Sequence, residues 1–388
     1  MTIGIAVFLI YISFWYIRSC MRRKQITEKD REALEQISDL KLQKRTVIKA
    51  PDSEVTVVLL NMGGPKTIAD VRPFLLRVFM DSRIIRFPLS SLLQGFFAKM
   101  LVTLRGKATE HRYGLIGGGS PILESTQNQA EALNAELKRR GRDLYTTICF
   151  NYSWPLPEDA VAELKKQRKK YILPLSLYPH YSEATTGSSF YYLKEEIKKS
   201  FSEARVLDCP SYFLDNHYIA AFADRINEQL KPGESLDDFY LLFSAHGLPL
   251  YFLVDGDPYP FQVAQSVAKI LDALGRKDRW TISYQSAVGP LEWMKPSTDS
   301  VMKALARRGE HRILVVPISF VSDHIETLCE IDIEYRAMAE QSGIKDFRMS
   351  RAIESHPEFI TALADCVESS LTPKEDQQTF AGRGFHAK

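Results

Sequence analysis

The sequence predicts an α/β protein with two doubly wound halves, each built on a parallel sheet. Short apolar runs rich in β-branched residues alternate with amphipathic helices, and this alternation begins again after Pro179–Ser189. Strands and helices that alternate at this spacing form a parallel sheet covered on both faces. With 388 residues, 45% hydrophobic and 25% charged, the chain is long enough to fill two ordinary cores. The predicted fold is therefore a pair of Rossmann-like halves preceded by an N-terminal hydrophobic segment.

Residues 1–24 form this hydrophobic segment. Met1–Ile17 carries no charge, and four basic residues follow it within residues 18–24. An uncharged run of this length is at the lower limit for crossing a bilayer, which takes about 17–25 residues, and the basic flank would keep the body on the non-translocated side. A membrane anchor is the first hypothesis, an organellar presequence the second and a secretory signal the third. Residues 25–54 are rich in charge and predict a tether.

Charge and cysteine content argue against several classes of protein. The formal net charge is +2, so the chain has no global field that would attract nucleic acid. The cysteines are scattered, odd in number and without a C-x-x-C pair, which fits reduced thiols better than a disulfide framework or a structural zinc site. They are Cys20, Cys149, Cys209, Cys329 and Cys366.

The first half is predicted to occupy residues 55–180. VTVVLLNMGGP is a strand that runs into a glycine turn, and ADVRPFLLRVFM is the helix after it. Residues 87–113 are amphipathic but irregular, which predicts a lip with an apolar face. The remaining elements are the turn IGGGSP, the helix TQNQAEALNAELKRRG, the strand TTICFNY, the helix EDAVAELKKQRKK and the strand YILPLSLYP.

The second half is predicted to occupy residues 181–350. It starts with the helix SSFYYLKEEIKKSF, the strand ARVLDCP, the helix YIAAFADRINEQL and the strand DFYLLFSAHGLP. PFQVAQSVAKILDALG, WTISYQSAVGP, STDSVMKALARRG and VVPISF continue the series up to the last strand, DFRMSRA. Residues 351–371 hold a C-terminal helix that packs back on the first half, and residues 372–388 form a disordered tail.

An acidic segment follows the strand VVPISF. Asp323 and Glu326 have capping-box spacing, so a helix is expected to begin near Asp323. Glu326, Glu330 and Glu334 then recur at every fourth residue and share one helix face, where like charges disfavour the helix slightly. A solvated face with basic neighbours is the structural explanation. The functional explanation is favoured because the acidic residues start at the carboxyl end of a buried strand, where open α/β sheets bind ligands.

His246 lies at the same type of edge, just past the strand in LLFSAHGLP. A lone histidine in a turn is usually a surface residue, but a second strand that ends in Asp-His-x-Glu suggests that both strand ends open into one cleft. Histidine and glutamate together can ligate ferrous iron, and either can move protons near neutral pH. The glycine turns LNMGGP and YGLIGGGSP could expose N–H groups to phosphate, but neither matches a nucleotide-binding fingerprint.

Taken together, eight segments of the chain resemble the ferrochelatase family. They are LNMGGP, DVRPFLLRVFMDSRII, YGLIGGGSP, YPHYSEATTGSS, LLFSAHGLP, GDPYPFQVA, YQSAVGPLEWMKPSTD and VVPISFVSDHIETLCEIDIEY. The resemblance runs from about Val55 to about Leu371. It implies a chelatase-like fold with a porphyrin cleft between the halves, covered by the lip. The implied activity is insertion of ferrous iron into protoporphyrin IX, the terminal step of haem biosynthesis.

The resemblance also implies roles for individual residues. His246 and Glu326 match the catalytic pair. The chemistry favours His246 as the acceptor of the pyrrole protons and Glu326 as the metal or proton handler opposite it, but spacing does not decide which of the two binds iron. Glu330 and Glu334 would extend this face as a path for metal ions. Residues matching the porphyrin site are Met62, Trp293, Phe320, Asp323 and His324 in the cleft and Arg105, Tyr113, Ser120 and Ser286 at the propionates. The family further implies association with the mitochondrial inner membrane and leaves a homodimer open.

Several positions depart from the family pattern. Asn151 stands where an arginine is common, and Tyr284 replaces a tryptophan before QS. Glu183 occupies the position of a cysteine that holds a 2Fe–2S cluster in animal relatives, and no cysteine follows Cys366. We therefore expect no iron–sulfur cluster and no permanently bound cofactor, with Fe2+ acting as substrate. Because of Asn151, the rival hypothesis is a porphyrin- or haem-binding protein that has lost the reaction.

Overall fold

The computed structural model describes residues 50–86, 90–289 and 291–371, without the side chains of residues 90–92. Two separate four-stranded sheets form the body, and all their strand pairs are parallel. The predicted fold class is thereby confirmed. The predictions for residues 1–24, for most of the tether and for the tail after Leu371 concern residues outside the described part of the chain.

The first sheet has the strand order β2-β1-β3-β4. Its strands are β1 (Val55–Asn61), β2 (Tyr145–Phe150), β3 (Tyr171–Ser176) and β4 (Arg205–Val206), accompanied by the helices α1 (Val71–Met80), α2 (Ser90–Leu115), α3 (Ile122–Arg139), α4 (Pro157–Lys166) and α5 (Ser188–Ser200). Since β4 pairs with β3, the first half extends past residue 180, where the sequence suggested that it ends. The sequence identified β4 as a strand, within ARVLDCP, but assigned it to the second half, because a local pattern does not show which sheet a strand joins.

The second sheet repeats the plan with the order β6-β5-β7-β8. Its strands are β5 (Tyr240–His246), β6 (Trp280–Gln285), β7 (Arg312–Pro317) and β8 (Asp346–Met349). The helices after β4 are α6 (Asn216–Asn227), α7 (Leu250–Val254), α8 (Tyr259–Ala273), α9 (Thr298–Arg307), α10 (Arg336–Gln341) and α11 (Pro357–Leu371). In both sheets the first strand in sequence lies in the centre, with its next two partners on opposite sides. Such a reversal of strand order places a crevice at the carboxyl ends of the strands.

One hydrophobic core joins the two sheets. Alternate residues of β1 and β7, such as Leu59 and Val316, belong to the same buried cluster, while the residues between them, such as Val58 and Val315, pack into separate clusters on the outer faces. Strands buried on both faces require continuous apolar runs, which explains the sequences VTVVLL and ILVVP. The two halves are therefore packed to each other through their inner faces.

The C-terminal helix α11 closes the fold on the first half. It packs against α3 and α6. Nη1 of Arg140, at the end of α3, lies 2.6 Å from Oδ1 of Asp365 and 2.7 Å from Oε2 of Glu368 on α11. This arginine thus connects the last helix to the first half by charge as well as by packing.

The predicted lip is a single long helix in its described part. The sequence suggested an irregular segment over residues 87–113, but α2 continues without a break through 26 residues to Leu115. It ends where Gly117 and Gly118 adopt left-handed conformations and the N–H of Gly118 donates to the carbonyl of Tyr113 at 2.8 Å. The side chains of Leu93, Phe96 and Leu104 are 37%, 62% and 70% exposed, so the helix presents apolar surface to solvent.

The two glycine turns of the first half pack against each other. The N–H of Ser120 donates to the carbonyl of Pro65 at 2.8 Å. A Cβ on Gly64 would lie 2.6 Å from the Cβ of Ser120, and a Cβ on Gly119 would lie 2.1 Å from the carbonyl oxygen of Lys66. These glycines therefore permit close packing of one loop on the other, which accounts for them without a bound phosphate.

Candidate active site

A cleft opens at the carboxyl ends of the central strands of both sheets. It is partly open to solvent and has about 100 Å³ of unfilled space. Because β1 and β3 end on one side of this cleft and β5 and β7 on the other, residues from the two halves face each other across it. The lining residues are Asn61, Met62, Gly63, Ile122, Leu177, Tyr178, His180, Ser182, Thr185, His246, Leu248, Tyr259, Ser319, Phe320, Val321, Ser322, His324 and Glu326.

His246 and Glu326 meet at this cleft. Nδ1 of His246, the last residue of β5, lies 2.7 Å from Oε2 of Glu326. A carboxylate at Nδ1 holds the hydrogen on that nitrogen and leaves Nε2 with a free lone pair. The pair can therefore accept a proton at Nε2 and stabilise the imidazolium that results.

The backbone of His246 is fixed by a ring of hydrogen bonds. Its N–H donates to Oγ of Ser319 at 3.2 Å, and its carbonyl accepts from the hydroxyl of Tyr259 at 2.9 Å. The two hydroxyl oxygens lie 2.5 Å apart, so Ser319 donates to Tyr259 and closes the ring. This ring orients the histidine through its main chain.

The acidic residues lie on a π-helix, Glu326–Tyr335, and not on the expected α-helix. The N–H of Arg336 donates to the carbonyl of Ile331, five residues earlier. The expected capping box of Asp323 and Glu326 does not form, because the N–H of Asp323 donates to Oε1 of Glu354 at 2.7 Å, and Oδ1 of Asp323 is buried without a hydrogen-bond partner in the described part of the chain. The carboxylate of Glu326 is therefore free to face the cleft. π-helices are rare and often occur at functional sites.

Ser286 joins two of the carboxyls. Its hydroxyl oxygen lies 2.8 Å from Oε2 of Glu326 and 2.6 Å from Oε2 of Glu330, and its N–H donates to Oε1 of Glu330 at 2.9 Å. A serine hydroxyl has one hydrogen, so both contacts are hydrogen bonds only when one carboxyl is protonated. Ser286 was expected at a propionate. In the structure it is engaged by carboxylates, and its φ of 66° is a strained, left-handed conformation.

The surroundings shift the pKa values of the two carboxyls in opposite directions. Burial opposes ionisation of Glu326, but the charge and hydrogen bond of His246 outweigh it and lower the pKa of Glu326. Burial and the charge of Glu326 raise the pKa of Glu330. Burial also disfavours the charged form of His246, yet Glu326 raises the pKa of this imidazole. The shared proton of the serine bridge therefore belongs to Glu330.

Glu334 is turned away from the pair. Its Oε2 lies 2.7 Å from Nη2 of Arg112, in the last turn of α2. Among the described residues, no three His, Cys, Asp or Glu side chains have the arrangement of a metal site. The four predicted metal-handling residues thus form a line from His246 to Glu334, without a closed coordination shell.

Only part of the predicted porphyrin set lines the cleft. Met62, Phe320 and His324 do, and the ring of Phe320 lies 4.2 Å from that of His324 and 6.3 Å from that of His246. The N–H of Met62 donates to the hydroxyl of Tyr178 at 3.1 Å, which fixes the turn after β1.

The other predicted contacts lie around the cleft. Trp293 donates from Nε1 to the carbonyl of Val288 at 2.9 Å, and the N–H of Asp323 donates to Glu354 at 2.7 Å. Burial and the charge of Glu326 raise the pKa of Tyr113, which is 4% exposed. Ser120 belongs to the packed glycine turns, and Arg105 is exposed on α2. None of these five residues is among those that line the cleft.

Sequence reasoning missed several residues of the cleft. Tyr178 and His180 follow β3, Tyr259 begins α8, and Ser319 follows β7. Burial lowers the pKa of His180 to about 3, so this imidazole is neutral. For Tyr178 and His180 the usable signal was position, because the turn after β3 lies at the same sheet edge as the glycine turn after β1. Ser319 and Tyr259 had no comparable signal.

Asn151 lies outside the cleft. Its amide donates from Nδ2 to Oγ of Ser188 at 3.4 Å, and its side chain shares an outer pocket with Arg77, Glu158 and Tyr192. Asn151 therefore borders the outer pocket of the first half and is not among the residues that line the cleft with His246.

Two parallel sheets that share a core, with a histidine–carboxylate pair at the cleft between them, define a chelatase-like protein. A solved structure with this fold is "SirB from Bacillus subtilis with Fe3+", with a TM-score of 0.50 and 13% identity over 84% of this chain and 98% of that one. The ferrochelatase family model matches residues 54–371. Ferrochelatase from Synechocystis sp. is 44% identical over 82% of each chain, and that from Gloeothece citriformis is 43% identical over 84% of each. The chain belongs to the ferrochelatase family, as its sequence motifs indicated.

The predicted location at the mitochondrial inner membrane is wrong. The curated relatives reported above come from cyanobacteria, which have no mitochondria. The prediction was carried over from the family as a whole, with only weak support from the hydrophobic segment of residues 1–24. In the part of the chain that the structure describes, no helix combines the length and the apolar character needed to cross a bilayer.

Proposed function

We propose that this chain inserts ferrous iron into protoporphyrin IX to form haem, with release of two protons. The observation that carries the proposal is the hydrogen bond between His246 and Glu326 at a cleft bordered by both halves. Membership of the ferrochelatase family supports it. In the enzyme classification this reaction makes the chain a lyase, a metal chelatase.

Proton removal is the step for which the pair is suited. Metallation requires both pyrrole N–H protons to leave the ring, so a proton acceptor must face the porphyrin. Nε2 of His246 can accept a proton while Glu326 stabilises the imidazolium through Nδ1. From Glu326, Ser286 offers a hydrogen-bonded connection to Glu330, and the hydroxyl of Tyr335 donates to Glu330 at 3.1 Å. This chain of groups is a route by which protons leave the cleft.

Iron is a substrate in this proposal. Oxygen and nitrogen ligands suit a divalent first-row ion, and the carboxylates of Glu326, Glu330 and Glu334 lead from the cleft to the exposed end of the π-helix. An incomplete ligand set is what a transient ion requires, because the metal must leave for the porphyrin. We propose that His246 and Glu326 deliver it.

We propose that the porphyrin contacts Met62, Phe320 and His324 in the cleft, with Trp293 and Asp323 behind them. The predicted contacts with the propionates stay predictions; they are Arg105, Tyr113, Ser120 and Ser286. Ser286 could contact a propionate only after a change of conformation, because it is bonded to Glu326 and Glu330. Membrane association and a homodimer also stay predictions. The exposed Leu93, Phe96 and Leu104 of α2 support contact with a membrane surface.

We further propose that the protein works without a resident cofactor or iron–sulfur cluster. Glu183, at the position of the cluster cysteine in animal relatives, is paired with Arg83 and accepts a hydrogen bond from Tyr181 at 3.0 Å. A carboxylate committed to an arginine is a structural residue of the short π-helix Glu183–Gly187, between β3 and α5.

The proposal is tested by anaerobic metallation with purified protein, Fe2+ and protoporphyrin IX. Haem formation is expected from the wild type, and His246→Gln should lower the rate at least about 100-fold because the proton acceptor is lost. Porphyrin binding, followed by absorbance, should persist in this variant. His311→Gln, an exposed histidine whose Nδ1 faces the carbonyl of Gly343, is the control. Saturable porphyrin binding without haem formation by the wild type would instead establish the carrier.

A further inference from the structure

Arg112 connects the lip helix to the outer end of the acidic residues. Besides its ion pair with Glu334, its guanidinium lies close enough to Glu330 to be attracted by that carboxyl. Its Nε atom is buried and has no hydrogen-bond partner within the described ranges. The thiol of Cys329 also approaches Oε1 of Glu334, at 3.7 Å. A permanent cation therefore occupies the outer end of the line formed by Glu326, Glu330 and Glu334.

The ion pair competes with any cation that approaches from solvent. Guanidinium is not deprotonated in proteins, so the positive charge of Arg112 stays in place at all working pH values. A carboxylate that accepts hydrogen bonds from an arginine offers fewer lone pairs to a metal ion, and the arginine also repels that ion. Glu334 can therefore coordinate a divalent ion well only after Arg112 moves.

We propose that Arg112 is a built-in competitor for the incoming metal, which holds Glu334 until a divalent ion displaces it. This inference rests on the proposed function, since it takes the acidic line as the path of the ion. Arg112 is next to Tyr113, which is near enough to Glu326 for that charge to raise the pKa of its phenol, so displacement of Arg112 also frees the last turn of α2. Because the coupling free energy is reciprocal, release of this turn strengthens metal binding by the same factor by which metal binding favours its release.

The proposal is tested by titrating the full chain with Co2+ alone in a calorimeter. Arg112→Gln should bind Co2+ about 3- to 5-fold more tightly than the wild type, the size expected for loss of a half-exposed ion pair. Arg112→Lys, which keeps the charge, should stay closer to the wild type. Equal or weaker binding by Arg112→Gln overturns the proposal.

Arg72→Gln is the matched control. Arg72 on α1 pairs with Glu110 on α2 at 2.6 Å, so this variant removes an ion pair of the same helix away from the acidic line. Its Co2+ affinity should equal that of the wild type. An equal gain in both variants would show that loosening α2 is sufficient, and would overturn the role of Arg112 as a competitor.

A double variant locates the effect. Arg112→Gln should give no gain when Glu334→Gln is already present, because the contested carboxylate is gone. A full gain in that background overturns the proposal. Haem formation by the wild type is measured separately, so that failure of this inference can be told from failure of the proposed function. If haem forms but the Co2+ affinity of Arg112→Gln is unchanged, only the inference about Arg112 fails. If the wild type forms no haem, the proposed function is refuted.

Discussion

At the scale of single residues, the sequence identified which side chains form the histidine–carboxylate pair, but it did not identify the residues that hold this pair in place. His246 and Glu326 could be paired because each follows a buried strand, and the carboxyl ends of parallel strands meet at one edge. Ser319 and Tyr259 could not be found in this way, since serine and tyrosine occur in many turns. Their role depends on hydrogen bonds to the main chain of His246, which sequence patterns do not report.

Asn151 gives the prediction that belongs to this scale. Its side chain lies in the outer pocket with Arg77 and Glu158, so replacing it affects the cleft only indirectly. We expect Asn151→Arg to change the rate of anaerobic metallation less than about 3-fold, far less than His246→Gln. A much larger gain in this assay would show that the missing arginine limits catalysis.

At the scale of elements, the glycine turns and the π-helix depart most from the sequence analysis. A π-helix has no sequence signature comparable to a heptad or a capping box, so Glu326–Tyr335 was expected to be α-helical. The two glycine turns were recognised as turns, but their mutual packing is a tertiary contact between loops about 55 residues apart, which local propensity does not encode.

The packed turns predict a large effect at Gly119 and a small one at Gly114. Gly119→Ala should destabilise the protein by about 2–3 kcal/mol, because its Cβ would meet the carbonyl of Lys66 and force the loops apart. Gly114 lies in α2 with no atom within 4 Å of a built Cβ. Gly114→Ala should therefore be neutral or stabilising by up to about 1 kcal/mol. Urea unfolding measures both, and equal effects would contradict the packing argument.

At the scale of the whole molecule, the sequence predicted two α/β halves correctly, because alternation of strands and helices is a strong pattern. It placed the boundary between them too early, since the strand pattern ARVLDCP does not show which of the two sheets β4 joins. The ion pairs that join α11 to α3 and α6 were beyond sequence analysis, because charged residues on helix surfaces have many alternative partners.

The contact between α6 and α11 predicts a dependence of stability on pH. Nδ1 of His217 on α6 lies 2.5 Å from Oε2 of Glu358 on α11. The hydrogen bond that His217 donates to Glu358 raises the pKa of His217 despite partial burial, and the charges of Glu358, Asp215 and Asp365 act in the same direction. A pKa raised on folding adds stability below the unfolded value of about 6.5, and this stability is lost as pH rises through the folded value.

His217→Gln should therefore lower the free energy of unfolding at about pH 5.5 and have little effect at about pH 8.5. The difference should be about 0.5 kcal/mol, because both partners are partly exposed. Urea unfolding at the two pH values measures it. Glu358→Gln should likewise lower the free energy of unfolding more at about pH 5.5 than at about pH 8.5, because it removes the other partner of the same hydrogen bond. A loss of the same size at both pH values would show that packing, and not charge, explains the effect of His217→Gln.

The core shared by the two sheets has a consequence for the history and the engineering of this fold. Each half resembles a self-contained Rossmann-like unit, but the inner face of each sheet is apolar and would be exposed to water if the other half were removed. Exchanging one half with that of a relative therefore requires matching the side chains of both inner faces at once. Chimeras that exchange only surface loops, and keep the side chains of both inner faces from one protein, should stay folded.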